Sequence, residues 1–273
     1  MQLNLQEVPF SMRGSYMAVS YHEKNFRGSG MAEGLYLRTV HGDAGTPFVA
    51  RLQTLNDGEE CPCRIEAQPE KVTLSTQKGE VFLAYEDADT LLISGRGDGV
   101  GIRLDFLPGG AFDFIQPVLS GEETWYLANC FKCHSRYMLF NQSGQVKLSQ
   151  EWKVSNSEYC CFDVEAEDGE FLLVMEEIKD TWIYRKEKFD LDSSAEKAYA
   201  DFQAFYHSMP SVPGRFAEAG EMAAYVNWSS IVNKCGFLKR DAMFMSKNWM
   251  CNVWSWDHCF NALALAYHEP QEA

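Results

Sequence analysis

The sequence lacks the features of a membrane-spanning or exported protein. It contains no run of about 18 consecutive apolar residues, the length that a membrane-spanning helix needs. Residues 1–9 have neither the basic flank nor the apolar stretch of a secretory signal. These absences lead us to expect a cytoplasmic protein.

Positive charge is also scarce. The chain has 24 Lys and Arg residues against 39 Asp and Glu residues, which gives a formal net charge of −15. A chain of this charge repels phosphate backbones and anionic lipid surfaces. We therefore expect no nucleic-acid partner and no membrane partner, and a neutral ligand is favoured.

The cysteines do not form a recognisable framework. There are nine, an odd number, and in a reducing compartment they are expected to be buried or free thiols. Residues 130–134 match a haem-attachment pattern, and Cys130 and Cys133 have the spacing of half a zinc site. The second ligand pair of a zinc site, and the export route and axial partner that haem attachment needs, are not found. We predict no metal and no cofactor, with a metal or haem protein as a remote alternative.

Two further motifs have simpler explanations than catalysis. The glycine-rich residues 95–101 lie between two predicted strands, whereas a dinucleotide site needs a strand-to-helix turn, so a tight hairpin is predicted. The acidic residues 165–170 and the pair Glu176 and Glu177 could supply carboxylates for acid–base chemistry. Solvated turns and protected sheet edges explain them as well, and we favour that interpretation.

The chain is rich enough in apolar residues to form a substantial core. Hydrophobic residues make up 46% of it and aromatic residues 14%. Since single cores tend to divide beyond roughly 250 residues, a length of 273 predicts one large and one smaller folding unit.

Short strands are predicted from about residue 10 to residue 187. Apolar residues alternate on both sides of turn signals, which is typical of an antiparallel β-sandwich. Hairpins are predicted at residues 78–79, 97–99, 141–144 and 168–169. The sandwich domain is predicted to comprise residues 1–190.

The periodicity becomes helical in residues 191–273. Ser193 and Glu196 form a capping-box pattern, and the first helix is predicted to run to Pro210. A second helix is predicted near 216–232, and a third has Phe260, Leu263, Ala264 and Tyr267 on one face. Three helices cannot enclose one another as a closed bundle does. We expect a fragment whose helices 194–209 and 216–232 expose apolar faces and permit self-association.

The third helix follows a cluster of two indoles and a carboxylate, Trp254, Trp256 and Asp257. Flat aromatic faces beside a carboxylate suit a saccharide, because a pyranose offers an apolar face and a ring of hydroxyl groups. In an extended segment the two indoles would share one face. The alternative is that Asp257 caps the helix and the indoles lie in the core.

Three segments, residues 9–17, 34–38 and 246–265, together resemble bacterial glycosidases of the family 63 kind. These are relatives of mannosylglycerate and glucosylglycerate hydrolases, often labelled glycogen-debranching or amylo-alpha-1,6-glucosidase-like. The resemblance spans essentially the whole chain, and the tryptophan–aspartate motif is its most specific part.

The resemblance implies a β-sandwich followed by an (α/α)6 toroid that performs an inverting hydrolysis. Asp257 would hold the sugar beside the scissile bond, with Trp254 and Trp256 as walls of the pocket. The family's general acid and base would lie beyond residue 273. Twelve helices of about 11–12 residues need at least roughly 170–200 residues, so the toroid is expected to be incomplete and this polypeptide alone inactive.

The sequence leaves a second class of function open. A non-catalytic carbohydrate-binding or structural sandwich with a helical appendage has the same pattern of elements. The sugar, the linkage and the oligomeric state are not determined by these observations.

Overall fold

A computed structural model describes residues 1–26, 30–41, 47–120, 123–185, 187–266 and 270 of the protein. Fifteen strands of this part form two antiparallel sheets. They are β1 (Met17–His22), β2 (Gly34–Thr39), β3 (Phe48–Asn56), β4 (Glu59–Glu60), β5 (Arg64–Ala67), β6 (Val72–Ser75), β7 (Glu80–Asp87), β8 (Thr90–Arg96), β9 (Val100–Asp105), β10 (Phe114–Ser120), β11 (Glu123–Cys130), β12 (Ser135–Ser143), β13 (Gln145–Lys153), β14 (Asn156–Glu165) and β15 (Glu170–Glu177).

The first sheet has the strand order β1-β2-β3-β9-β14-β13, and β4 pairs with β3. The second has the order β10-β11-β12-β15-β8-β7-β6-β5. The predicted antiparallel β-sandwich is therefore confirmed. One main apolar core contains inward-facing residues of both sheets, among them Val19, Leu37, Leu83, Ile93 and Phe162.

Only one of the four predicted hairpins is a hairpin. Residues 78–79 join β6 to β7, which pair in register. The turns at 97–99, 141–144 and 168–169 instead carry the chain from one sheet to the other, so those three predictions are wrong. Strand alternation shows that each strand has one buried face. It does not distinguish a neighbour in the same sheet from one in the facing sheet.

The crossing at residues 141–144 depends on glycine. Gly144 has φ +90°, and a Cβ added there would lie 2.5 Å from the Cβ of Phe171 and 2.6 Å from the carbonyl oxygen of Glu165. Since a side chain meets both a strained backbone and two close neighbours, only glycine allows the chain to turn so tightly between β12 and β13.

Three helices and a small two-stranded sheet follow the sandwich. They are α1 (Leu191–Ser208), α2 (Ala217–Ser230), β16 (Ile231–Val232), β17 (Ala242–Met243) and α3 (Ser255–Leu265). Tyr267, predicted on the third helix, lies outside the described residues. None of the described helices has the length and apolar character needed to cross a membrane.

The first helix begins earlier than the capping-box pattern predicts. Asp190 is its N-cap, and its side chain accepts a hydrogen bond of 2.8 Å from the backbone N–H of Ser193. Ser193 therefore lies inside the first turn and is not the cap. Asp190 caps the helix in place of Ser193 because its carboxylate accepts a hydrogen bond from a free N–H of the first turn.

The helices are buried unequally. Leu191 and Ala195 of α1 pack on the outer face of the second sheet, and Phe202 and Phe205 join the main core. The predicted exposed face of α1 is thus largely covered, because the sandwich provides the partner that a bundle would otherwise supply. On α2, Trp228 is buried, while Ala219, Ala223 and Phe216 just before the helix are exposed.

Candidate saccharide site

Residues 9–17 contact both the sandwich and the segments that follow it. The hydroxyl of Tyr225 on α2 accepts a hydrogen bond of 3.1 Å from the N–H of Ser11 and lies 3.1 Å from the carbonyl oxygen of Pro9. The ammonium of Lys247 donates to the hydroxyl of Ser11 at 3.2 Å and to the carbonyl of Met12 at 3.0 Å. Two of the three segments that resemble a glycosidase therefore meet in space.

Arg38 connects the third of these segments, residues 34–38, to residues 247–249. Its guanidinium is fully buried and donates to the carbonyl oxygens of Asn248 at 2.6 Å and Lys247 at 2.8 Å, and to the hydroxyl of Ser20 at 3.1 Å. The indole of Trp249 lies 4.8 Å from the guanidinium carbon. These contacts fasten residues 247–249 to β2.

Burial shifts the pKa of both cations downward. It lowers the pKa of Arg38 to about 10 and holds the pKa of Lys247 well below its usual range. Removal of each charge from water favours the neutral form. Both cations donate their hydrogen bonds to carbonyl and hydroxyl oxygens, and neither forms an ion pair within the described part of the chain.

His22 lies in an aromatic box beside Arg38. Its ring centroid is 4.8 Å from that of Phe26 and 5.2 Å from those of Phe48 and Trp249. Burial, with a smaller contribution from the charge of Arg38, lowers the pKa of His22 to about 4. The imidazole is therefore neutral at pH 7 and packs as an aromatic residue.

The indole cluster lies at the start of α3, where it is open to solvent. Trp254 is the N-cap and is 49% exposed, and Trp256 lies in the first turn and is 74% exposed. The ring of Trp256 packs edge-on against Phe260 at 5.5 Å. The expectation that both indoles share one face of an extended segment is wrong, because the helix begins at Ser255.

The carboxylate of Asp257 is half-buried in the first turn of α3. It forms no hydrogen bond or ion pair with the part of the chain that the structure describes. The N-cap is Trp254, and the exposed indoles are not core residues, so the structural alternative for this cluster does not hold. An unpaired carboxylate at the same helix end as two exposed indoles can accept hydrogen bonds from hydroxyl groups of a ligand.

The other candidate carboxylates have structural partners. Glu176 accepts hydrogen bonds from Trp182 at 2.7 Å and Arg185 at 2.6 Å, and Glu177 lies 2.9 Å from the Nε2 atom of His41. Both glutamates are buried on β15, which lies between β12 and β8. Their assignment to solvated turns or sheet edges is therefore wrong.

The thiols of the haem-like motif are also structural. Cys130 and Cys133 lie in the main core, and burial raises the pKa of Cys133 to about 12. The thiol of Cys133 donates to the carbonyl of Phe48 at 3.2 Å. The described residues contain no group of three or more His, Cys, Asp or Glu side chains placed to hold a metal ion.

Sequence reasoning missed the residues that position the cluster. Arg38, His22 and Lys247 are polar residues that the fold buries, and a local pattern does not distinguish them from surface residues. The available signal was that Arg38 lies in the largely apolar strand β2, directly after Leu35, Tyr36 and Leu37. Trp249 is one of three indoles within residues 247–258, but the sequence does not show that it packs against Arg38.

Comparisons with known proteins support the fold. No family model and no curated protein matches the sequence. A family 92 inverting mannosidase from Bacteroides thetaiotaomicron is 9% identical, with a TM-score of 0.53, and the match covers 81% of this chain and 35% of the mannosidase. A second family 92 glycosyl hydrolase is 8% identical, with a TM-score of 0.52, and the match covers 93% of this chain and 44% of that hydrolase.

The chain therefore has a glycoside hydrolase-like fold and spans less than half the length of these two structures. Its antiparallel sheets match the N-terminal β-sandwich of family 92-type enzymes. At such low identity the likeness concerns the fold alone. The resemblance to family 63 and the continuation into a toroid stay predictions.

Proposed function

We propose that this chain forms the N-terminal portion of an inverting glycoside hydrolase that acts on α-linked glucosides, mannosides or small oligosaccharides. Trp254, Trp256 and Asp257 would contribute to its sugar-binding pocket. The fold of the two family 92 structures supports a glycosidase-related sandwich.

One observation carries the assignment of the pocket. The carboxylate of Asp257 is unpaired within the described residues and shares the start of α3 with two solvent-exposed indoles, and contacts to Arg38 fasten residues 247–249, which precede the helix, to the sandwich. A sugar ring could stack on an indole while its hydroxyl groups donate to the carboxylate.

We assign no general acid or base within this chain. Inverting hydrolysis needs two carboxyl groups about 6.5–9.5 Å apart, one to protonate the leaving group and one to activate a water molecule. Asp257 is proposed to bind sugar only, so the two catalytic carboxyl groups would come from residues beyond 273. The 273-residue chain alone is expected to show no turnover.

The test is the Asp257→Asn variant of the full gene product, assayed on aryl α-glucosides and α-mannosides. Loss of a charge-assisted hydrogen bond to substrate should lower kcat/KM by roughly 100-fold, equivalent to about 3 kcal/mol. Asp180→Asn, which changes an exposed aspartate outside α3, is the matched control and should leave the rate unchanged.

The stereochemistry of the first product tests the reaction class. Proton NMR should detect the β-anomer before mutarotation, because inversion of an α-glycoside releases a β-sugar. Unchanged kcat/KM in Asp257→Asn would remove this residue from the pocket. A full gene product that binds these sugars without hydrolysing them would instead identify a carbohydrate-binding module.

A further inference from the structure

A cavity lies on the sandwich, lined by residues that the proposed glycosidase site does not use. It is a groove of about 560 Å³ formed by Gln2, Leu3, Asn4, Leu5, Gln6, Tyr21 and Ile65. This volume is within the range of about 300–1,000 Å³ that is common for small-molecule sites.

The N-terminal segment bridges the edges of the two sheets. The N–H of Leu3 donates to Ala67 on β5 at 2.8 Å, and the carbonyl of Leu5 accepts from Tyr21 on β1 at 3.0 Å. The side chains of Leu3 and Leu5 are buried in the main core. Backbone hydrogen bonds therefore fix the N-terminal segment to both sheets, and the leucine side chains form the apolar base of the groove.

The residues that flank and separate these leucines present amides to solvent. Gln2, Asn4 and Gln6 alternate with Leu3 and Leu5 and are exposed. Asn4 is partly engaged, because its Oδ1 accepts from the N–H of Gln6 at 3.2 Å. The side-chain amides of Gln2 and Gln6 form no hydrogen bond within the described residues. Each amide offers two donor hydrogens and an acceptor oxygen.

Tyr21 adds an aromatic ring that is held in position. Its hydroxyl donates to the carboxylate of Glu33 at 2.6 Å, and its ring is half-buried. A ring fixed by a hydrogen bond loses less conformational freedom when a ligand stacks on it.

None of the residues that line the groove is charged, although the chain has 39 acidic and 24 basic residues. An anionic ligand would find no cation in this lining, and the nearby carboxylate of Glu33 is already bonded to the hydroxyl of Tyr21. Amides that both donate and accept, beside an aromatic ring and apolar residues, suit an uncharged polyhydroxyl molecule.

We propose that this groove is a second binding site for a neutral saccharide, formed by Gln2, Gln6 and Tyr21 and separate from the residues at α3. It needs no hydrolysis, so it goes beyond the function proposed above. Such a site would hold part of an oligosaccharide on the sandwich.

The test is NMR titration of the 273-residue chain with maltotriose and with α-mannotriose, following the side-chain amide signals of Gln2 and Gln6. At least one of these sugars should shift both signals, and trigalacturonate, a charged trisaccharide, should not. In the double variant Gln2→Ala/Gln6→Ala, the dissociation constant of the sugar for the groove should rise at least tenfold. Because this variant lacks both glutamine amides, the backbone N–H signal of Tyr21 reports binding. The matched control Gln77→Ala/Gln116→Ala alters two exposed glutamines outside the groove and should bind as the parent does.

The variant Trp256→Ala separates this proposal from the preceding one. It should remove binding at α3 and leave the shifts of Gln2 and Gln6 intact. The groove proposal is overturned if neither sugar moves those two signals, or if the double variant binds as tightly as its control. Either result leaves the assignment of Asp257 standing.

Discussion

At the scale of single residues, the chain buries polar groups beneath the segment that leads to α3. Arg38 and Lys247 replace water with carbonyl and hydroxyl oxygens, and His22 is packed among aromatic rings. The Nε2 atom of His22 has no hydrogen-bond partner within the described residues. A buried polar atom of this kind makes stability sensitive to its protonation.

The stability of the protein should therefore fall on acidification through His22. Its pKa is lowered to about 4 in the folded state, against 6.5 when unfolded. Above pH 6.5 both states are neutral and the contribution to stability is complete. Between pH 6.5 and 4 the unfolded chain gains a proton that the folded chain does not, so stability falls by about 1.4 kcal/mol per pH unit, and by up to about 3 kcal/mol in all.

The variant His22→Phe should lose this dependence, because phenylalanine fits among aromatic neighbours and does not titrate. Urea unfolding at pH 7 and pH 4.5, followed by tryptophan fluorescence, measures the difference. His207→Phe, which alters an exposed histidine of α1, is the control and should keep the acid sensitivity of the parent. Equal pH dependence in both variants would show that His22 is accessible to protons in the folded state.

At the scale of elements, two local patterns had more than one structural solution. Turn residues such as Gly144 serve a crossing between facing sheets as well as a hairpin. Asp190 and Ser193 both suit an N-cap, and the backbone conformation selects Asp190. The turn residues were identified correctly but the strands that they join were not, and the cap was assigned to Ser193 instead of Asp190.

The cap assignment can be tested by a pair of alanine variants. Asp190→Ala should lower the free energy of unfolding by about 1 kcal/mol, since it removes the acceptor of the hydrogen bond from the N–H of Ser193. Ser193→Ala should change it by less than about 0.5 kcal/mol, because that exposed side chain is not the cap. Urea denaturation curves measure both values. The reverse order would restore the capping box that begins at Ser193.

At the scale of the whole molecule, apolar exposure concentrates on α3. Trp256, Phe260 and Leu263 are 74%, 56% and 71% exposed, while only Leu265 of this helix is buried. The corresponding face of α1 is covered by the second sheet. Self-association, expected from the sequence through the first two helices, is now proposed to occur mainly through α3.

The chain should therefore associate in a concentration-dependent manner that sedimentation velocity can follow. The double variant Phe260→Ser/Leu263→Ser should weaken association at least tenfold, because it removes two large apolar side chains from the exposed face of α3. The control Val154→Ser/Phe237→Ser changes two fully exposed apolar residues elsewhere and should associate as the parent does. Equal weakening in both would indicate unspecific association rather than contact through α3.

The candidate site was predictable in composition but not in geometry. The types and spacing of Trp254, Trp256 and Asp257 indicated the cluster that is proposed above to bind sugar. The start of α3 at Ser255 was not evident, since the residue before a helix is chosen by long-range contacts as well as by its type. The amides of the groove gave no signal, because surface glutamines are common in any sequence.

The sequence by itself determined the antiparallel strands, the change to helices near residue 190, the negative charge and the indole–carboxylate cluster. These depend on local properties: which face of a strand or helix is apolar, and which residues can turn. The tertiary structure alone decided which strands share a sheet, which helix face is covered, and that Arg38 and His22 lie against residues 247–249. Those outcomes depend on contacts between residues as much as 236 positions apart, and such contacts leave no periodic trace in the chain.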